Sequence, residues 1–221
     1  MKPTLLIPLL WWFGGVNTSN AAPSWPEALR AMPLPADAPR LNRDNVVSVL
    51  LRAFRSNDTV KALLVLPQVA DDFYLINRDK PRLDLRATNV LDALTQLTNA
   101  TALRLTWNDP FLLVHLATDH LAPSLAAEDD ATARLLKTQP ALKQGVFLDV
   151  HWERLQPRLA ADMKRKVRPA PDSQDAWHFA RFNFAGWNLS EWELLSAVSL
   201  SGNTTVSVQK AAIVFKERTS R

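Results

Sequence analysis

The chain contains no cysteine and only five glycines in 221 residues. Without cysteine there are no disulfides, thiol nucleophiles or thiolate metal sites. Two of the glycines, Gly14 and Gly15, lie near the start, so Gly145, Gly186 and Gly202 are the only ones in the remaining sequence. Phosphate-cradling loops and dinucleotide fingerprints need clustered glycine, and this chain has none; a G-x-S-x-G nucleophile elbow is also missing. Long hydrophobic runs are missing as well. The longest lies in Leu5–Phe13 and includes Pro8, far short of the ~20 residues that cross a bilayer.

An apolar content of 47% is enough for a real core. Lys2, the apolar run that follows it and Ser19-Asn20-Ala21 read as a secretory signal over residues 1–21, with the mature chain starting at Ala22. The alternative is a retained N-terminal anchor. An exported domain of this size without disulfides fits the periplasm or cell envelope of a bacterium. Export disfavours nucleic acid as a partner, and no transmembrane segment is expected after cleavage. Charge is balanced from Ala22 to Ser124, whereas Leu125–Arg221 carries 14 basic against 11 acidic residues. Lys164, Arg165, Lys166 and Arg168 concentrate that excess. They read as a solvated helix end or as a contact for anionic lipid, cell-wall polymer or an acidic partner.

A pattern of strand, short helix, strand, turn and strand occurs twice, from Arg82 and from Arg181. Placing Asn89 over Asn188 also superposes Leu83 on Phe182, Leu85 on Phe184, Val90 on Leu189 and Asp92 on Glu191. The expected fold class is α+β: two small modules of strands and short helices joined by a helical connector. The expected boundaries are a proline-rich arm over 22–42, a first module over 43–118, a connector over 119–145 and a second module over 146–221. Trp25, Leu29 and Leu34 are positioned to pin the arm.

Within the first module, Val46, Val47, Leu50, Leu51 and Phe54 have helical spacing and follow polar residues from Asn42, predicting a helix that ends near Ser56-Asn57-Asp58. Ala62–Leu66 is an ambiguous apolar run, Phe73–Ile76 a strand and Arg78–Pro81 a turn. Asn89 caps a helix with Asp92 at its third position. Leu103, Leu105 and Trp107 alternate as a strand, Asn108-Asp109-Pro110 turns, and Phe111–Leu116 returns. In the connector a helical pattern includes Leu125 and Ala131–Lys137. Val146–Glu153 then reads as a strand and Arg154–Val167 as a helix with Pro157 in its first turn or kinking it. Ser190 and Glu193 form a second capping box, Gly202-Asn203 ends that helix, and Val206, Val208, Ile213 and Phe215 supply a hairpin.

Asn45–Leu116 resembles the short N-terminal domain shared by secretins and TonB-dependent outer-membrane receptors, and the related ring-forming N-domains of secretins. The resemblance is carried by the helix Val46–Phe54, the run Ala62–Leu66, the strand Leu83–Leu85, the helix opening Asn89-Val90-Leu91-Asp92-Ala93-Leu94 and the hairpin Leu103–Leu116. The second copy matches over its last 35 or so residues. Such domains engage partner proteins and carry no catalytic residues, so the resemblance implies a non-enzymatic, free-standing adaptor in a secretion or receptor assembly, with no cofactor.

An envelope protein partner is therefore expected, bound by strand addition. The strand with Phe111, Leu113 and Val114 is the first expected edge, and Trp187, read as lying in a turn, is the candidate exposed contact. Two alternatives stay open. Asp149, His151 and Glu153, spaced by two, would share one face of a strand, where they could bind metal or share proton transfer as a hydrolase; otherwise they form its solvent face, with Leu148, Val150 and Trp152 inward. A glycan-binding module would use exposed Trp177, Trp187 and Trp192. The histidines show no metal-ligand spacing, and His115 reads as a satisfied core or edge residue.

Overall fold

The structure is a computed structural model that describes residues 24–36, 40–55, 59–66, 83–171 and 180–218. The expected signal segment, the strand at Phe73–Ile76 with its turn, and Trp177 fall outside them. The α+β expectation holds: six helices and nine strands are formed among the described residues.

The first two helices among the described residues are α1 (Trp25–Arg30) and α2 (Val46–Ala53). Asn42 sets the start of α2: its backbone carbonyl accepts from Val46 N at 3.0 Å and its side chain accepts from Asp44 N at 2.9 Å. The helix stops at Ala53, where Phe54 takes an extended conformation. The ambiguous run resolves as strand β1 (Ala62–Val65), buried on both faces. After a bridge at Leu85 come α3 (Val90–Ala100) and the hairpin β2 (Arg104–Asn108) and β3 (Phe111–His115). Asn89 Oδ1 accepts from Asp92 N at 2.9 Å, the cap expected from its sequence position.

The stretch read as a helical connector contains a strand. Leu125 belongs to β4 (Ser124–Ala127), and only Asp130–Thr138 is helical, as α4. The remaining elements are β5 (Pro140–His151), α5 (Trp152–Met163), β6 (Lys166–Pro169), β7 (Arg181–Ser190), α6 (Glu191–Ser201), β8 (Thr204–Val208) and β9 (Ala212–Glu217). The strand expected from Val146 thus starts at Pro140. Pro157 lies in the second turn of α5, because the helix begins at Trp152.

The strand pairings repeat one topology twice. In the first unit Leu41 bridges Leu85 antiparallel, β1 runs parallel to β3, and β2 and β3 form an antiparallel hairpin. In the second, β5 pairs antiparallel with β7, β6 runs parallel to β9, and β8 and β9 form the hairpin. Each unit therefore reads strand, helix, strand, strand, helix, hairpin. The repeat extends well beyond the 35 residues whose sequences align.

The units are fused through a shared sheet. β7 pairs with β5 on one side and antiparallel with β1 on the other, giving a five-stranded sheet β2-β3-β1-β7-β5, while a second sheet has the order β4-β8-β9-β6. Side chains alternate across the five-stranded sheet. Leu63, Val65, Leu112, Val114 and Ala185 face α2 and α3, whereas Leu64, Phe111, Leu113, Phe182 and Phe184 face the core around α5 and α6. Phe147 stacks on Phe184 at 4.3 Å between ring centres, and Trp152 meets Phe215 edge-on at 4.9 Å, tying α5 to the second sheet. Such pairs add roughly 0.5–1.5 kcal/mol beyond the area they bury.

The arm is also built in. Leu29 and Met32 are buried in the first core, with Trp25 and Leu34 partly buried beside them. Met32 O accepts from Val90 N at 2.9 Å, satisfying the first free amide of α3.

Candidate functional site

Four strands lie at sheet edges, and three carry features that discourage pairing with another chain. β6 presents Lys166, Arg168 and Pro169. β5 has a bulge between Phe147 and Val150, and β4 is four residues long. β2 has neither proline, lysine nor a bulge; its sequence Arg104-Leu105-Thr106-Trp107-Asn108 pairs with β3 in unbroken register and, among the described residues, with no strand on its other side. This is the open edge of the molecule among its described residues.

The expected edge is therefore displaced by one strand. β3 is interior, parallel to β1 on one side and antiparallel to β2 on the other. Phe111, Leu113 and Val114 are all buried. The apolar character that drew attention to them reflects burial on both faces of the sheet. Trp187 is not in a turn either: it sits in β7, half-buried, its ring 5.6 Å from that of Phe54 and 5.9 Å from the Arg55 guanidinium.

The basic run separates into three roles. Lys164 takes a left-handed conformation (φ 50°) that closes α5, at some cost for a residue with a Cβ. Arg165 turns inward to form an ion pair with Glu191 at the start of α6, their side chains only 12% and 6% exposed. Only Lys166 and Arg168 remain as exposed charges along β6.

Asp149, His151 and Glu153 do not share a face. Asp149 occupies the bulge with φ 52°, its amide donating to Asn183 Oδ1 at 2.8 Å and its carboxylate accepting from Arg181 at 2.8 Å. Past the bulge, β5 ends at His151, which caps α5, and Glu153 belongs to that helix. No group of three His, Asp or Glu side chains among the described residues could hold a metal ion. His115 is satisfied in place, with Nε2 2.8 Å from Thr106 Oγ1 and Nδ1 2.7 Å from Leu116 O.

No family model, curated protein or solved structure matches this chain. Its own geometry therefore carries the functional reading.

A recess of about 280 Å³ opens beside the end of β2, between the β2–β3 turn and α6. It is lined by Asn108, Asp109, Lys137, Trp192 and Ser196. α6 is held against the first unit by Glu193: one carboxylate oxygen accepts from Lys61 Nζ at 2.7 Å, the other from Ser190 N at 2.8 Å. The capping box visible in the sequence is thus also the joint between units. Trp192 and Trp187 lie on opposite faces of the five-stranded sheet, so they form no common aromatic platform. Sequence reading passed over the recess because its residues come from three distant segments; the polar turn Asn108-Asp109 and a tryptophan two residues after a cap were the available signals. No helix among the described residues is long and apolar enough to cross a membrane.

Proposed function

We propose that this protein is an exported, non-enzymatic adaptor of the bacterial cell envelope that binds a partner protein in a secretion or receptor assembly. The single observation that carries the reading is the open edge at β2, beside two units of one topology whose other edges are blunted. A partner segment in extended conformation gains main-chain hydrogen bonds there, and the alternating side chains of Leu105 and Trp107 supply selectivity. The resemblance of Asn45–Leu116 to secretin and receptor N-terminal domains supports the same class of role. The exposed Lys166 and Arg168 on β6 offer a secondary contact for anionic lipid or cell-wall polymer.

The test is photo-crosslinking in the producing cell, with a benzophenone side chain at Arg104 on β2 and a control at Lys143 on β5, both exposed. A single protein crosslinked from position 104 and absent from position 143 is the expected result. Equal crosslinking from both, or none from either, counts against strand addition. Sequencing of the mature N-terminus checks export separately, with Ala22 as the expected first residue.

A further inference from the structure

We propose that the recess between the β2–β3 turn and α6 is a binding site for one pyranose ring of an uncharged saccharide. Its volume of about 280 Å³ lies just below the usual range of about 300–1,000 Å³ for ligand pockets, which limits the occupant to roughly a single ring. The wall is mixed: Pro110, Phe111 and Pro123 are apolar, and the Trp192 indole offers a flat face of the kind on which the C–H face of a sugar stacks.

The polar groups are arranged to receive hydroxyls. Ser196 is 2% exposed and lines the recess, and its hydroxyl can both donate to and accept from a hydroxyl bound there. Asn108 donates its Nδ2 to Leu121 O at 2.7 Å, which leaves its Oδ1 as an acceptor. Asp109 is exposed and forms no ion pair among the described residues, so its two oxygens are available to a vicinal diol. Lys137 Nζ sits 5.1 Å from the centre of the Trp192 ring, a cation–π contact that can yield its position to a ligand.

Charge decides the class of ligand. Lys137 and Asp109 offset one another, and Glu193 is engaged by Lys61 and by Ser190 N. An anionic ligand would face Asp109 and a cationic one Lys137, so a neutral polyol fits the balance best. The site is independent of strand addition at β2.

The test is amide NMR on the isotope-labelled protein titrated separately with glucose, galactose and N-acetylglucosamine. One of these should shift the amides of Asn108, Asp109 and Ser196 and the Trp192 indole, with a dissociation constant of about 1–10 mM, as expected for a ligand of about a dozen non-hydrogen atoms. Asp109→Ala and Ser196→Ala should each weaken binding by about fivefold while the rest of the spectrum stays unchanged. The proposal is overturned if none of the three sugars moves these signals at about 50 mM, well above that range. It is equally overturned if both variants bind as the parent does, or if the shifts cluster elsewhere.

Discussion

Replacing Arg165 with methionine should be among the more damaging single changes outside the apolar core. Both charges of the Arg165–Glu191 pair are largely removed from water, so deleting the cation strands a carboxylate under the first turn of α6. Breaking a buried pair on one side costs about 3–5 kcal/mol, and the residual exposure of Arg165 argues for the lower end. At about 2–4 °C per kcal/mol for a chain of this size, a loss of about 3 kcal/mol lowers Tm by roughly 6–12 °C. Replacing both residues, Arg165→Met with Glu191→Leu, should recover most of that loss, leaving a deficit of about 1 kcal/mol or less because the α6 N-terminus gives up one favourable acidic neighbour. Urea unfolding followed by circular dichroism, with linear extrapolation, measures all four corners of the cycle. The coupling should survive 1 M salt, where the screening length is about 3 Å, since buried pairs are screened little. If the single replacement costs less than about 1 kcal/mol, or the coupling vanishes in salt, the pair behaves as a solvated surface contact and the reasoning fails.

Gly202→Ala places a Cβ 2.3 Å from the ring of fully buried Phe182; a loss of about 1–3 kcal/mol in urea midpoint analysis is expected, and near-neutrality would mean that the ring has room to move. Val114→Pro, in an interior strand paired on both sides, should abolish cooperative unfolding instead of selectively blocking a partner; a folded, soluble variant would contradict the register. Burial holds the Asp119 carboxyl above its ordinary pKa, opposed by the hydrogen bond from Leu116 N. Its ionisation therefore weakens the fold, and stability from this group rises as pH falls through the raised value. Asp119→Asn should be at least as stable as the parent at pH 7, the difference closing in acid as the carboxyl protonates; a gain persisting at low pH would assign the effect to packing.

The elements carried by local chemistry were legible in the sequence. Asn89 and Ser190 announced their helices through capping, and the two hairpins through alternation and turn residues, because those signals depend on neighbours a few positions apart. Long-range pairing left no such mark. Phe111, Leu113 and Val114 look the same whether a strand is an edge or an interior one, and only the parallel partner β1 decides it. Leu125 fits a helical pattern and is a strand because β8 lies beside it. Asp149 has the spacing of a shared face, but a single left-handed residue turns the chain and separates it from His151 and Glu153. In the basic run, Lys166 and Arg168 are solvated as charge patterning suggests, whereas the inward turn of Arg165 depends on Glu191, 26 positions later.

The placement of β7 sets an order for assembly. β1 acquires its antiparallel neighbour from residues about 120 positions further along, with Leu64 opposite Phe184. Until that segment is available, the first unit presents a wholly apolar strand, paired to β3 on one side and open along its other edge, the kind of surface on which nascent chains aggregate. A fragment ending at Leu116 would carry this exposure permanently, so the first unit should not persist as a soluble domain when cut free. Synthesis alone does not complete the fold in stages: the N-terminal half waits for the C-terminal half, and a factor that shields β1 during that interval would raise the yield of native protein without contributing to its final stability.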